Sequence, residues 1–476
     1  MMLNFLKSKP FQLLLAYTVA YGFMVPLGNA RFWDDWSSHS LAGVEFLSGQ
    51  VFPFREFLDE QLIHLSGGFW LYRPLTFLLF AASGLFVCQI LGVCRGLLDE
   101  SDRMWVTALF LLLPFNSVRA IVQSLFSYTF SHFFFFAAWS IIVAKRQLYW
   151  ALIALAMFVV SFPTNSLLFY VLLPAFHVLL VSEFSLRNRV LRFCAMGVAS
   201  VSYRPFSRAI WPDLRLNEGY NEIRGAFLVR SIVVFLILLF ICLVILLCLV
   251  TSPDRQRKPL VLICLGVLAF ATGLFPYMAV GHFPNFSDLI IQFIPNESEM
   301  DSRHGLLLPL GTALIVVGLV RLVVLPNLQR KALRGVLVLS VLVCVSIYSQ
   351  YFTDSRKQDA IIRELSNPQI ELSTRAVMFL DNAQRFNARG RSLYHWEYLG
   401  MLKEAGRGYG FEILDRGGYP CDSDNSVVGT IIEINATSGR LRTILTGNPR
   451  LTLSERRAEA LCGPGLTALP VHELES

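Results

Sequence analysis

Apolar positions along this chain run in long blocks rather than alternating with polar ones, and short polar loops separate the blocks. A block of about 20 apolar residues crosses the hydrocarbon of a bilayer as a helix, whereas a membrane barrel needs short alternating segments. The pattern therefore predicts a polytopic α-helical membrane protein with about 11 spans. The first runs from about Pro10 to Leu27 and the second from Phe69 to Val93. Four lie between Trp105 and Glu183, broken at Pro114-Phe115-Asn116 and Phe162-Pro163-Thr164-Asn165, since proline lacks the amide that would continue a helix. A weaker span covers Val190 to Pro205. Spans over Ser231 to Val250, Leu260 to Val280, Gly305 to Leu325 and Val336 to Tyr351 complete the membrane part.

Two polar regions interrupt this regularity. The loop from Asn29 to about Gly67 mixes Val44, Phe46, Phe54, Phe57 and Ile63 with Glu45, Arg55, Glu56, Asp59 and Glu60. That mixture over Ser40 to Leu65 predicts amphipathic helices lying on the membrane surface. After Phe352 the composition turns polar, which divides the chain into a transmembrane part, residues 1–352, and a small α/β domain, residues 353–476. Within the latter, helices are expected at Ser355 to Leu365 and Leu393 to Ala405, and a strand at Ala376 to Leu380. Val427 to Ile434 and Leu441 to Leu445 read as a hairpin turning near Thr437-Ser438-Gly439. A unit of about 110 residues is large enough to fold by itself.

Composition agrees: 54% hydrophobic and 16% charged residues exclude a soluble protein of this length. The net charge of +7 does not indicate nucleic acid as a partner, because the basic residues are not gathered on one segment. They cluster at Lys7 and Lys9, Arg95 and Arg103, Lys145 and Arg146, Arg187 to Arg192, Arg255 to Lys258, and Arg330 to Arg334, in alternate loops. The positive-inside rule places these loops and the N-terminus in the cytoplasm. An odd span count then puts the first long loop and the C-terminal domain outside an inner (plasma) membrane. The first apolar run is followed by bulky Phe32 and Trp33 instead of small residues, so no cleavable signal peptide is expected. Seven of the nine cysteines lie in or near apolar spans as packing residues. The other two, Cys421 and Cys462, sit in the outer domain, where a disulfide is one option and free thiols the other.

Candidate chemistry falls in the outer loops, since the spans are nearly free of ionisable residues apart from Arg119, His132 and His177. The leading candidate is the acidic pair Asp34-Asp35 within Arg31-Phe32-Trp33-Asp34-Asp35-Trp36, just after the first span. Carboxylates are costly near hydrocarbon, and tryptophans on both sides fit a site at headgroup depth. A carboxylate there can serve as general base on a lipid-anchored substrate; capping a surface helix or pairing with Arg31 is the plainer alternative. Adjacent residues point in different directions, so one carboxylate would act as base and the other would bind a metal or orient the acceptor. Arg303 and His304 stand at the mouth of a late span and offer donors suited to a phosphate, or anchor to lipid headgroups. Tyr72 and Arg73 open the second span, where Arg73 either contacts substrate or snorkels to headgroups. His39 and His64 read as plain loop residues. No zinc spacing, Walker loop or dinucleotide fingerprint occurs, so a soluble nucleotide donor is not expected.

Trp33-Asp34-Asp35-Trp36 after the first span, surface helices over Ser40 to Leu65, Tyr72-Arg73-Pro74-Leu75, and Ser302 to Pro309 together resemble the GT-C superfamily of membrane glycosyltransferases. The resemblance covers roughly Pro10 to Tyr351 as a pattern. It implies a GT-C-like catalytic domain whose donor is a polyprenyl-phosphate sugar and whose acceptor is an envelope glycan, lipid or protein. It implies inversion at the anomeric carbon, with Asp34 as base and with Arg303, and His304 or Arg73, holding the leaving phosphate. Some members use a divalent cation such as Mg or Mn and others do not; no second carboxylate set here decides between them. Three other readings stay open: an O-antigen polymerase or ligase relying on outer Arg and His, a lipid-linked glycan flippase, and a non-catalytic assembly subunit.

Overall fold

The structure, a computed structural model, describes residues 9–36, 61–65, 70–94, 98–115, 119, 121–181, 183–210, 225–251, 253–282, 305–370, 372, 376–407, 412–414, 429–439 and 450–458. Its contacts divide it into two units. The first holds the described residues up to Gly28, those from 61 to 282, and those from 305 to 346. The second holds residues 29–36 and the described residues from Ile347 onward.

The first unit is helical throughout its described length. Its helices are α1 (Lys9–Tyr21), α2 (Tyr72–Val93), α3 (Glu100–Leu112), α4 (Val122–Ala144), α5 (Leu148–Ser161), α6 (Ser166–Tyr170) and α7 (Leu172–Leu180). They continue with α8 (Leu186–Ile210), α9 (Gly225–Thr251), α10 (Asp254–Ala279), α11 (Leu308–Val323) and the first part of α12 (Pro326–Leu365). Five stretches are long and apolar enough to cross a membrane: Tyr72–Val93, Leu125–Ala144, Gly225–Leu249, Gln256–Ala279 and Pro326–Leu365. Shorter apolar helices lie at Phe11–Leu27, Leu148–Ser161, Ser166–Leu180 and Leu308–Val323. Local chemistry sets several ends. Asp99 caps α3, its carboxylate accepting from the Asp102 amide at 2.7 Å. The first apolar helix closes with a 3-10 stretch, Gly22–Leu27, containing Pro26. The break expected at Phe162 to Asn165 is present as the turn between α5 and α6.

Helices α10 and α11 meet through glycines. A Cβ on Gly311 would lie 2.5 Å from the Phe270 amide nitrogen and 2.8 Å from the Gly266 carbonyl oxygen. A Cβ on Gly266 would lie 2.8 Å from the Gly311 oxygen, and one on Gly273 3.0 Å from that of Leu307. Small residues let two backbones approach where water supplies no driving force for association. Only 6% of the most apolar window of α9 is buried, which marks it as a peripheral helix suited to face lipid. Its Cys242 thiol contacts the Cys264 carbonyl of α10 at 3.5 Å. A polar tie joins α11 to α3, where Arg321 Nε donates to Asp102 at 2.7 Å and Arg321 also holds Gln329.

Of the surface helices expected over Ser40 to Leu65, only Gln61 to Leu65 lies within the described residues, and it is helical. Its Leu62 packs on Tyr72 and Phe126, while Leu65 is exposed. The described cysteines are free, and Cys421 and Cys462 lie outside the described residues.

The second unit contains a four-stranded sheet of order β2-β1-β3-β4, built from β1 (Ala376–Asp381), β2 (Glu412–Leu414), β3 (Gly429–Ala436) and β4 (Leu451–Ala458). Strand β1 runs parallel to β2 and to β3, and β4 is antiparallel to β3 with Ala436 opposite Leu451. The parallel β1–β2 pair needs a crossover, which α13 (His395–Glu404) supplies. The expected strand at Ala376 to Leu380, the helix near Leu393 to Ala405 and the strand near Val427 to Ile434 are all present. Leu441 to Leu445 lies outside the described residues, and the strand that pairs with β3 is Leu451–Ala458. Ser355 to Leu365 is helical but does not stand alone: it is the end of the 40-residue helix α12. Ile361 and Leu365 of α12, Val377 and Phe379 of β1, Met401 and Leu402 of α13 and Ile432 and Ile434 of β3 form one core.

Gly311→Val should force α10 and α11 apart. The added atoms meet backbone, which cannot rotate away, so overpacking should cost about 1–3 kcal/mol or more. Thermal unfolding of the purified protein in detergent checks this; an unchanged melting temperature would contradict the close crossing.

Candidate functional site

The acidic segment after the first span is folded into the second unit. Residues Trp33–Asp35 form a single 3-10 turn, in which the Asp35 amide donates to the Phe32 carbonyl at 3.0 Å and the Trp36 amide to that of Trp33 at 3.1 Å. Trp33 has φ 53°, a left-handed conformation that is strained for a bulky side chain. Such strain costs on the order of 1–3 kcal/mol and persists only where surroundings over-determine it.

Those surroundings can be named. The Trp33 amide donates to Glu397 Oε1 at 3.0 Å. Its ring lies under the Arg391 guanidinium, 4.6 Å from the ring centre, and 5.0 Å from the ring of Tyr394. Phe32 meets Tyr351 edge to face at 5.0 Å. Trp36 enters the core of the second unit, and its indole N–H donates to Gln358 Oε1 at 2.9 Å. Its ring occupies the place a side chain would need on Gly400, where a Cβ would stand 2.4 Å from Trp36 Cε3. Arg31 pairs with Glu404 and lies over the Trp36 ring at 5.1 Å.

A buried ionic network underlies the turn. Arg391 donates twice to Glu397, at 2.6 and 2.8 Å, and once to Asp354 at 3.3 Å, with all three side chains almost fully enclosed. Glu397 also accepts from the Tyr394 amide at 2.9 Å, capping its own helix. Asp354 accepts from Gln358 at 2.8 Å and from the Ala388 amide at 2.8 Å. Burial opposes the charge on Arg391, but Glu397 and Asp354 outweigh it and raise its pKa above the ordinary value. Beside this, Lys357 pairs with Asp381 and donates to Asn387 at 2.7 Å and to the Ala383 carbonyl at 3.2 Å.

The candidate residues are distributed as follows. Asp34 lies in the turn and is described as backbone only. Asp35 is 1% exposed, a buried carboxylate and not a solvated loop charge. Tyr72 and Arg73, in the first unit, are fully buried. Tyr72 meets Phe126 edge to face at 5.3 Å, and Arg73 Nε donates to the Gly28 carbonyl at 2.9 Å. The Arg73 guanidinium thus pins the backbone where the first apolar helix ends. Arg303 and His304 lie outside the described residues, as does His39; His64 is exposed on the short helix. No group of three His, Cys, Asp or Glu suited to a metal gathers among the described residues.

Sequence reasoning missed Asp354, Lys357, Asp381, Asn387, Arg391 and Glu397. One signal was available. Asp354, Lys357, Gln358, Ile361 and Leu365 recur at helical spacing, which marks a single face that turns from polar to apolar as it enters the core. It also missed that Arg119 and His132 are buried: Arg119 lies 3.4 Å over the Phe80 ring, and His132 stacks on Phe110 and meets Phe136 edge to face.

No family model matches the chain, and no curated protein matches it either.

Glu397→Gln removes the nearer of two negative partners of a buried guanidinium and should destabilise the second unit by about 3 kcal/mol. Denaturant unfolding followed by tryptophan fluorescence measures it, with Trp33 and Trp36 as reporters. A loss under about 1 kcal/mol, the scale of an exposed pair, would contradict the enclosed geometry.

Proposed function

We propose that this chain is a membrane glycosyltransferase of the GT-C kind, moving a sugar from a polyprenyl-phosphate carrier to an envelope glycan, lipid or protein acceptor on the outer side of an inner membrane. In full this reading has about 11 spans, a cytoplasmic N-terminus and an extracytoplasmic C-terminal domain. The observation that carries it is the strained turn at Trp33, set immediately before an acidic pair and held by Glu397, Arg391 and Gln358. Backbone strain kept against an energetic cost is concentrated at working sites. A loop serving only as a linker has no need of a left-handed tryptophan.

In this reading Asp34 takes the proton of an acceptor hydroxyl as its oxygen attacks the anomeric carbon. The bond from that carbon to the phosphate oxygen breaks with inversion, and the lipid phosphate departs with the electron pair. Arg303 and His304 stabilise the charge that grows on the departing oxygen, the kind of contribution that often dominates catalysis. Buried Asp35 orients the turn. Tyr72 and Arg73 shape the entry to the second span, with Arg73 holding the Gly28 carbonyl.

Asp34→Asn should lower transfer about 100-fold or more, because an amide cannot take the proton. The measurement is sugar transfer from polyprenyl-phosphate donors by purified protein in liposomes, alongside its unfolding temperature. Near-normal transfer by a folded Asp34→Asn protein would remove the base assignment. Arg303→Lys should also impair turnover by about tenfold, because Lys keeps the charge but loses the planar fork. Full activity of that variant would indicate a headgroup anchor in its place.

A further inference from the structure

The first unit contains a cavity of about 290 Å³ that the transferase reading does not use. Its walls are mainly apolar, with Val87 and Ile90 from α2, Leu173 from α7, Leu265 and Leu268 from α10 and Leu314 from α11. That volume is at the low end for a ligand pocket, so it suits one chain rather than a two-tailed lipid. Phe176 and Leu180, which also line it, are exposed, so this edge opens toward the lipid-facing surface.

One end of the cavity is polar. Trp139, Cys94, His177 and Glu183 all line it. The Trp139 indole N–H donates to His177 Nδ1 at 3.1 Å, which makes Nδ1 the acceptor and leaves the proton of the neutral ring on Nε2. Nε2 in turn faces the Cys94 sulfur at 3.4 Å. Sulfur is a weak acceptor, so a locked N–H donor at the cavity's tip is matched only poorly by its protein partner. An incoming oxygen would be the better acceptor.

The sign of the local charge narrows the ligand. Among the described residues, neither Lys nor Arg lines the cavity, whereas Glu183 does. Arg146 neutralises Glu183 from outside at 3.2 Å, with both side chains more than half exposed. An ionised carboxylate or phosphate would meet a carboxylate and one uncharged donor. A hydroxyl needs no charged partner: its oxygen accepts from His177 Nε2.

We propose that this cavity binds a single hydrocarbon chain tipped by a hydroxyl group, a long-chain alcohol, with the alcohol oxygen accepting from His177 Nε2. The polar end lies by the loops that carry Lys145, Arg146, Arg187 and Arg189, the side expected to be cytoplasmic. The site is independent of the transferase assignment, and its test does not read sugar transfer.

The test is photolabelling of the full-length protein in detergent with a diazirine-tagged decanol and with the matching decanoic acid, followed by mass-spectrometric mapping. The alcohol should label residues within Leu172–Leu180 or 265–269, and the acid should label them about tenfold less, because an ionised carboxylate would give up its hydration for a single uncharged donor. His177→Ala should lower alcohol labelling about fivefold, the worth of one hydrogen bond. Leu268→Trp and Ala269→Phe fill the space and should each reduce labelling to background in protein that still elutes as a single species. His177→Ala removes bulk, so it remains informative if the filling variants fail to fold. Equal labelling by acid and alcohol would overturn the hydroxyl assignment. Labelling spread over other helices, or unaffected by His177→Ala, would overturn the site.

Discussion

A single enclosed carboxylate, Glu397, holds the second unit together at the left-handed turn of Trp33. It receives the Trp33 amide, two bonds from Arg391 and the first amide of its own helix. Burying ions is costly, and the cost is offset here by bonds to both carboxylates, although Arg391 Nε itself finds no partner among the described residues: Asp354 accepts from Arg391, Gln358 and Ala388 together. Densely bonded networks of this kind rigidify and select one arrangement. The consequence is that a turn following the first helix takes its shape from residues more than 300 positions later. If the turn carries the general base, the C-terminal domain is part of the catalytic machinery and not an appendage to it.

The first unit is held by different means. Its helices approach through Gly266, Gly273 and Gly311, and aromatic rings fill much of its interior. Two of the ionisable groups buried there rest on aromatic rings: Arg119 on the Phe80 face and His132 on phenylalanines. A guanidinium over an aromatic ring is attracted by the ring quadrupole, and the attraction strengthens as water is excluded. This answers why two such residues survive among spans otherwise nearly free of charge. Arg73 is a related case, satisfied in part by a backbone carbonyl at the end of the first span.

Much of the helical architecture was legible in the chain because a helix is a local object. The apolar blocks at Phe69 to Val93, Ser231 to Val250 and Leu260 to Val280 became helices with ends displaced by a few residues, and the proline-bearing break near Phe162 became a turn. In the C-terminal part, the short apolar run at Ala376 to Leu380 marked a strand whose Val377 and Phe379 are buried. The boundary near residue 352 was less legible, since the change in composition falls inside a helix that continues without interruption to Leu365. Backbone hydrogen bonding of a helix carries on through a change of solvent, so composition alone does not mark its end.

What the sequence determined by itself is therefore the apolar helices, the small sheet's first and third strands, and the presence of an acidic pair between tryptophans. Only the tertiary structure decided that Trp36 belongs to the C-terminal core, that Asp35 is buried, and that Trp33 is held left-handed by Glu397 and Arg391. The physical reason is separation along the chain. Periodicity and capping arise among neighbours and leave a pattern in the residues, whereas the bond from Trp33 to Glu397 closes a loop of 364 positions and leaves none.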